Sequence, residues 1–347
     1  MVLAACGGGD SSNGDSDNGD SDNGDSDNAD TGSSAEWLFI TEETGEQVQM
    51  AYANEFKKRI EEKTDGDVTV TTYEFGGLGT ETDNVVALQE NTVQLAVTSP
   101  GFIGNTIQES QIFGLHYLFP DSVEETHKIL NESEAINVDL VKQYEEIGLK
   151  PLSFWTEGFM MWTSNKPVTS VADFENFKMR IQGTKLQEEA WKAYGGTPQT
   201  MSWGDLYTGL ENGTVDGQDN PIFFIADASF NEVQDYMTLS RHNNYVATTT
   251  VNMDWFEGLS EDYQQLVVET VEDMQDWIFE EQKSQNEHFL EVIKESGTEV
   301  VELSEEELAE FKEASMGVRD FYREEVSRVD GAILDKLEQE IEEIVGE

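Results

Sequence analysis

The chain has 347 residues, 37% of them hydrophobic, with 72 acidic side chains against 20 basic ones and a formal net charge of -52. Its length and apolar content allow a sizeable core and favour two domains over one. The charge excludes nucleic acid as a partner, because no basic patch exists to displace phosphate counterions.

The excess is not confined to one tail. Residues 1–35 hold eight Asp and no Lys or Arg, which leaves 64 acids against 20 bases on the body. Such self-repulsion loosens a compact state in dilute buffer, whereas ~1 M salt shrinks the Debye length to about 3 Å. The surface therefore reads as that of a halophile's extracytoplasmic protein. Near the start, "LAAC" (3–6) followed by three glycines is similar to a bacterial lipobox, with Cys6 as the lipidated residue. Only five residues precede Cys6, so most of a signal peptide is missing and the chain is expected to begin late. A chance LAAC at a cytosolic N-terminus is the alternative. A lipid anchor, with no apolar run near 18 residues, implies attachment to a membrane without spanning it. The expected location is the periplasm or the outer face of the cytoplasmic membrane.

Residues 7–35 read as an extended acidic linker. "NGDSD" recurs at 13, 18 and 23 and cannot bury apolar surface. The repeat misses the register of an EF-hand loop, so calcium binding is not expected.

From Glu36 the pattern is mixed α/β. "WLFIT" (37–41) predicts a strand, and Val48–Lys63 an amphipathic helix with Met50, Ala53, Phe56 and Ile60 at helical spacing. "DGDVTVTTYEF" predicts a strand after an Asp-Gly turn, "GGLGTETD" a turn into a helix near Asp83, and "VQLAVTSP" another strand. This rhythm argues for βαβ units, whose ligands sit at the carboxyl ends of the strands. Further on, "KMRIQ" (178–182) alternates as a strand, with Met179 and Ile181 on one side and Arg180 on the other. Trp203 stands at the mouth of a strand-to-helix turn in "TPQTMSWGDLYTGL", and in "ENGTVDGQDNP" a brief strand at "TVDG" ends before Pro221. Residues 260–296 lack Pro and Gly and stop at Gly297. Their apolar stripe breaks across "EEQKSQNEH" (280–288), which fits either one helix bridging two bodies or two helices with a break.

Catalytic signals are sparse. No P-loop, HExxH or nucleophile elbow occurs, and His116, His127, His242 and His288 lack metal-ligand spacing. No cofactor, metal or enzymatic activity is expected. The arginine remains the chemically telling residue. A guanidinium meets a carboxylate bidentately, which a lysine cannot do, so a strand-end Arg180 suits anion capture. A surface bridge between Arg180 and a neighbouring acid is the alternative.

The stretch "FKMRIQG … YGGTPQTMSWGDLYTGLENGTVDGQDNP" resembles the core signature of solute-binding proteins of tripartite ATP-independent periplasmic (TRAP) transporters, the DctP-type family. "EFKKRIEEKTDGDVTVTTYEFGGLG", "SPGFIG" and "WFEGLSEDYQQLV" match its flanking blocks in order, so the likeness covers residues 36–347. The resemblance implies a two-domain α/β clamp of the periplasmic-binding-protein kind. Each domain is then a mixed, mostly parallel sheet flanked by helices, and a long helix spans both. Domain I would comprise 36–157 and 246–285, and domain II 158–245 and 286–347. Ligand would be delivered to TRAP membrane permease subunits. Arg180 would hold the ligand carboxylate together with Asn220, while Asp219 replaces the family's usual Glu.

Residues 64–127 contain no Lys or Arg, although this half should supply the opposite jaw. Its loops instead offer Glu42, Glu43 and aromatic rings, which suits a small zwitterion with a delocalised cation better than a dicarboxylate. Within the family the chain looks most like the ectoine binders of halophiles. That likeness implies Glu43 on the ligand's cationic ring, Arg180 and Asn220 on its carboxylate, and Phe102, Trp203 and Phe224 as an apolar cage. Each aromatic fits core packing as well. The expected ligand is ectoine or hydroxyectoine. A 2-oxo acid or C4-dicarboxylate is the alternative, and a tethered hydrolase or sugar-binding protein is the alternative of a different class.

Overall fold

The computed structural model describes residues 35–329 and 331–346. Cys6 and the expected linker lie outside them. The first elements are β1 (Ala35–Ile40), α1 (Val48–Lys63), β2 (Val68–Tyr73), α2 (Glu81–Gln89) and β3 (Leu95–Thr98). Helix α1 forms because its apolar positions share one face. Tyr52, Phe56 and Ile60 are buried, and the Phe56 ring meets Phe39 of β1 edge-on at 5.4 Å. Helix α2 starts at Thr80, whose side chain and that of Asp83 cap each other's backbone N–H groups.

After α3 (Val123–Glu132) come β4 (Leu149–Ser164), β5 (Lys178–Ile181), α4 (Lys185–Ala193), β6 (Thr197–Thr200) and α5 (Trp203–Glu211). They are followed by β7 (Gly217–Asn220), α6 (Ile222–Asp227), β8 (Tyr236–Asn252), α7 (Glu261–Glu272), α8 (Gln275–Ser296), β9 (Glu299–Glu302) and α9 (Ala332–Val345). The brief strand expected at 214–217 lies three residues further on, as β7. There Gly217–Asn220 pairs with Met161–Ser164 of β4.

Among the described residues, nine strands form one mixed sheet in the order β2-β1-β3-β8-β4-β7-β5-β6, with β9 on β8. The parallel sets β2-β1-β3 and β7-β5-β6 are joined through the long antiparallel pair β4 and β8. Register slips in that pair between Thr156 and Phe159, so Glu157 and Gly158 bulge out of the ladder.

The segment 260–296 is two helices, broken at Asp273–Met274. Val267, Val271, Met274 and Ile278 pack with α1 and β1, while Ile293 joins a separate core with Leu206 and Phe230. The polar middle of α8 crosses between these cores, and Gln282 is buried there. Helix α9 packs Ile333, Leu334 and Leu337 against Ile129 and Leu130 of α3. Among the described residues, no helix is long and apolar enough to cross a membrane.

Candidate functional site

Arg180 lies on β5, flanked by β6 and β7, and is 3% exposed. Its Nε donates to the Met201 carbonyl at 3.0 Å, and among the described residues no carboxylate comes within ion-pair distance. Burial pulls its pKa down, while Asp219, Glu81 and Tyr245 pull it back in part. Guanidinium stays protonated in proteins, so Arg180 is a buried cation whose counter-charge is not in contact with it. Asp219 is engaged elsewhere, 3.1 Å from His242 Nε2.

The opposite pole is acidic. Glu42 and Glu43 follow β1, Glu157 sits in the β4 bulge, and all three are buried. Gln49, in the first turn of α1, holds them together. Its backbone N–H donates to Glu43 Oε2 at 2.7 Å, its Nε2 to Glu157 Oε1 at 2.9 Å, and its Oε1 accepts from the Glu42 N–H at 3.0 Å. Glu42 Oε1 also accepts from Ser99 N–H at 3.2 Å. The other oxygens, Glu42 Oε2, Glu43 Oε1 and Glu157 Oε2, have no hydrogen-bond partner among the described residues. Burial drives the Glu42 and Glu43 carboxyls well above the usual range and pushes Glu157 up to about 8.

Tyr245 of β8 feels both poles. Burial and then the field of Glu42 and Glu157 hold its proton, and its hydroxyl acts in turn on Arg180. Its ring lies 5.9 Å from Phe224 of α6, which meets Trp203 at 4.9 Å; Trp203 also meets Phe230 at 5.3 Å. Two contacts join segments from opposite ends of the sheet. Trp203 N–H donates to Glu81 Oε1 at 3.1 Å, and Gln182 packs on the Ser99–Gly101 turn so closely that a Cβ on Gly101 would overlap its Oε1. A hollow lined by Ser99, Gly101, Met160, Gln182 and Tyr245 opens beside that contact. It shares Tyr245 with the charged poles, but Arg180 and Glu43 lie outside its wall.

Residues 39–325 match the model of the DctP family, "Bacterial extracellular solute-binding protein, family 7". The chain belongs to this family. As a DctP-family protein it is the solute-binding component of a TRAP transporter, which works with membrane permease subunits and is not an enzyme. It is 35% identical over 316 residues to the ectoine-binding periplasmic protein TeaA of Halomonas elongata, covering 90% of this chain and 92% of that one. The ectoine/5-hydroxyectoine-binding periplasmic protein UehA of Ruegeria pomeroyi is 33% identical, with coverage of 88% and 90%. The C4-dicarboxylate-binding periplasmic protein DctP of Rhodobacter capsulatus is also 33% identical, over 79% of this chain and 82% of its own. The solved structure of the Halomonas elongata protein superposes with a TM-score of 0.86, covering 89% of this chain and 99% of that chain.

In this DctP-family protein, Phe224 meets both Tyr245 and Trp203, while Arg180 and Glu43 reach Tyr245 through their charge. Asn220 is buried at the end of β7, where its side-chain amide donates to Gln218. Phe102 sits half-buried in the Ser99–Ile103 turn, and among the described residues it makes no ring contact with Trp203, Phe224 or Tyr245. Sequence reasoning missed Tyr245, Glu157 and Gln49. Gln49 alone had a usable signal, as a polar residue one position from the apolar stripe of α1.

Proposed function

We propose that the protein captures a small zwitterion carrying one carboxylate and one delocalised cation, ectoine or hydroxyectoine, and delivers it to the permease by clamp closure. The observation that carries this reading is the pair of opposed poles: a buried Arg180 without an ion pair, and three buried carboxylates gathered by Gln49. A dipolar ligand satisfies both at once. Its carboxylate supplies Arg180's counter-charge, with Asn220 beside it. Its cationic ring faces Glu43, and Trp203, Phe224 and Phe102 close over the apolar edge. The binding specificities of the Halomonas elongata and Ruegeria pomeroyi relatives support the same ligand.

Closure follows from electrostatics. Bringing Arg180 into a dehydrated cleft is costly alone and favourable once an anion arrives, so ligand shifts the population toward the closed clamp. A C4-dicarboxylate or 2-oxo acid is the second reading, favoured by the Rhodobacter capsulatus relative. A C4-dicarboxylate would set its second carboxylate against Glu42, Glu43 and Glu157, and a 2-oxo acid would leave them without a partner; neither brings the cation that three buried carboxyls can take. We also assign Cys6 to a lipid anchor at the outer face of the cytoplasmic membrane, and the acidic surface to a saline exterior. Calorimetric titration with ectoine, hydroxyectoine, succinate and a 2-oxo acid is the test. Tight binding of ectoine, abolished by Arg180→Ala, is expected. Tight binding of succinate with indifference to ectoine overturns the zwitterion reading.

A further inference from the structure

We infer that Glu157 is the second half of the cation-binding jaw: Glu43 and Glu157 share a proton in the ligand-free protein and release it to solvent when the ligand's cationic N–H groups take its place. This deepens the zwitterion reading and rests on it for the identity of the incoming cation. Four observations carry it. The two side chains come from different elements, the loop after β1 and the bulge of β4, yet Gln49 fastens one oxygen of each. Both are fully buried and their carboxyl groups are within hydrogen-bonding reach of each other. The oxygens left over, Glu43 Oε1 and Glu157 Oε2, have no hydrogen-bond partner among the described residues. Two buried carboxylates so placed are satisfied either by a proton between them or by a cation. Finally, Arg180, on a separate strand and without an ion pair among the described residues, is an independent sign that a dipolar molecule reaches this space.

The surrounding groups do not offer another solution. Glu42, whose carboxyl burial also drives well above the usual range, and Glu81 supply no cation, Tyr52 and Tyr245 keep their protons, and Arg180 forms no ion pair with the acids among the described residues. Burial first favours protonation of both; the field of Glu157 then holds the proton on Glu43, while bonds from Glu43 and Gln49 draw Glu157 down, though burial still leaves it at about 8. The sign follows from linkage. Below that pH a cation must displace a proton to bind, so affinity rises with pH, by up to about tenfold per unit as pH approaches about 8.

The experiment has two arms. Ectoine titrations in buffers of different ionisation enthalpy at neutral pH are expected to show release of about one proton per ligand. In Glu157→Gln the release falls toward zero and the pH dependence flattens, because the amide donates to Glu43 in the proton's stead. Ectoine binding without proton release or pH dependence overturns the inference while leaving the ectoine reading intact. Infrared spectroscopy of the ligand-free wild-type protein is the second arm and needs neither ectoine nor the variant. A protonated-carboxyl band that bleaches as pH rises through about 8 is expected. If no band bleaches there, the shared proton does not exist, even if ectoine binds; if ectoine fails to bind and the band bleaches, only the ligand's identity falls.

Discussion

At Arg180, function and stability pull in opposite directions. A guanidinium buried without a carboxylate costs solvation that a single bond to the Met201 carbonyl does not restore. Arg180→Met keeps the length of the side chain and removes the charge. Apolar replacements of buried ions are neutral or stabilise by about 1–4 kcal/mol. Chemical denaturation of ligand-free protein is therefore expected to show Arg180→Met at least as stable as wild type, with binding lost. A clear loss of stability would mean that the fold itself neutralises Arg180. This residue was legible because an arginine alternating with the apolar Met179 and Ile181 of a short strand has few uses. Glu42 and Glu43 were legible together as acids beside a stretch, 64–127, without Lys or Arg, and only the family resemblance singled out Glu43. Tyr245 and Glu157 were not, since they lie in strands of 17 and 16 residues buried on both faces. With no alternation of polar and apolar residues there, nothing marks a strand or its inward face.

Among the elements, the bulge of β4 and the polar middle of α8 form one joint. Asn286 Nδ2 donates to the Glu157 carbonyl at 2.8 Å, and its Oδ1 accepts from Phe223 N–H, at the start of α6, at 3.3 Å. One amide thus ties the strand that carries Glu157 to the helix that carries Phe224. Gly158 makes the approach possible: its φ is +105°, and a Cβ there would stand 2.8 Å from Asn286 Nδ2. Bonds to Gln282 O and Oε1 hold that amide, so it cannot simply swing away. Gly158→Ala is expected to cost about 1–3 kcal/mol through backbone strain and this contact. Asn286→Ala should cost a similar amount by stranding buried backbone groups. A double-mutant cycle should find the pair less than additive, since removing the amide relieves the clash. Strict additivity would place the strain elsewhere. The polar stretch 280–288 was legible as a crossing, but the break at Asp273–Met274 was not. No Gly or Pro marks it, and Val267, Val271, Met274 and Ile278 on its two sides pack into one and the same core.

The whole molecule is governed by its charge. Most cations already sit in exposed pairs such as Lys192 with Glu188 and Lys336 with Asp139. Each such pair contributes ~0–1 kcal/mol and weakens as salt rises. On that term alone, salt would destabilise the protein. The unpaired acids act with the opposite sign, and they outnumber the cations: 64 against 20 outside the first 35 residues. At about 0.01 M salt the Debye length is ~30 Å, so acids across the body repel one another, whereas at 1 M it is ~3 Å and only neighbours interact. Repulsion spread over tens of unpaired charges exceeds what a few surface pairs lose. The melting temperature should therefore climb from dilute buffer to molar sodium or potassium chloride, salts chosen over sulfate so that screening rather than solvent exclusion is read. Ectoine affinity should change little over the same range, because the cleft charges are buried and screened far less than the surface. A stability curve that is flat or falls with salt would remove the case for a saline exterior, and a strongly salt-dependent affinity would mean that the recognising charges lie in water.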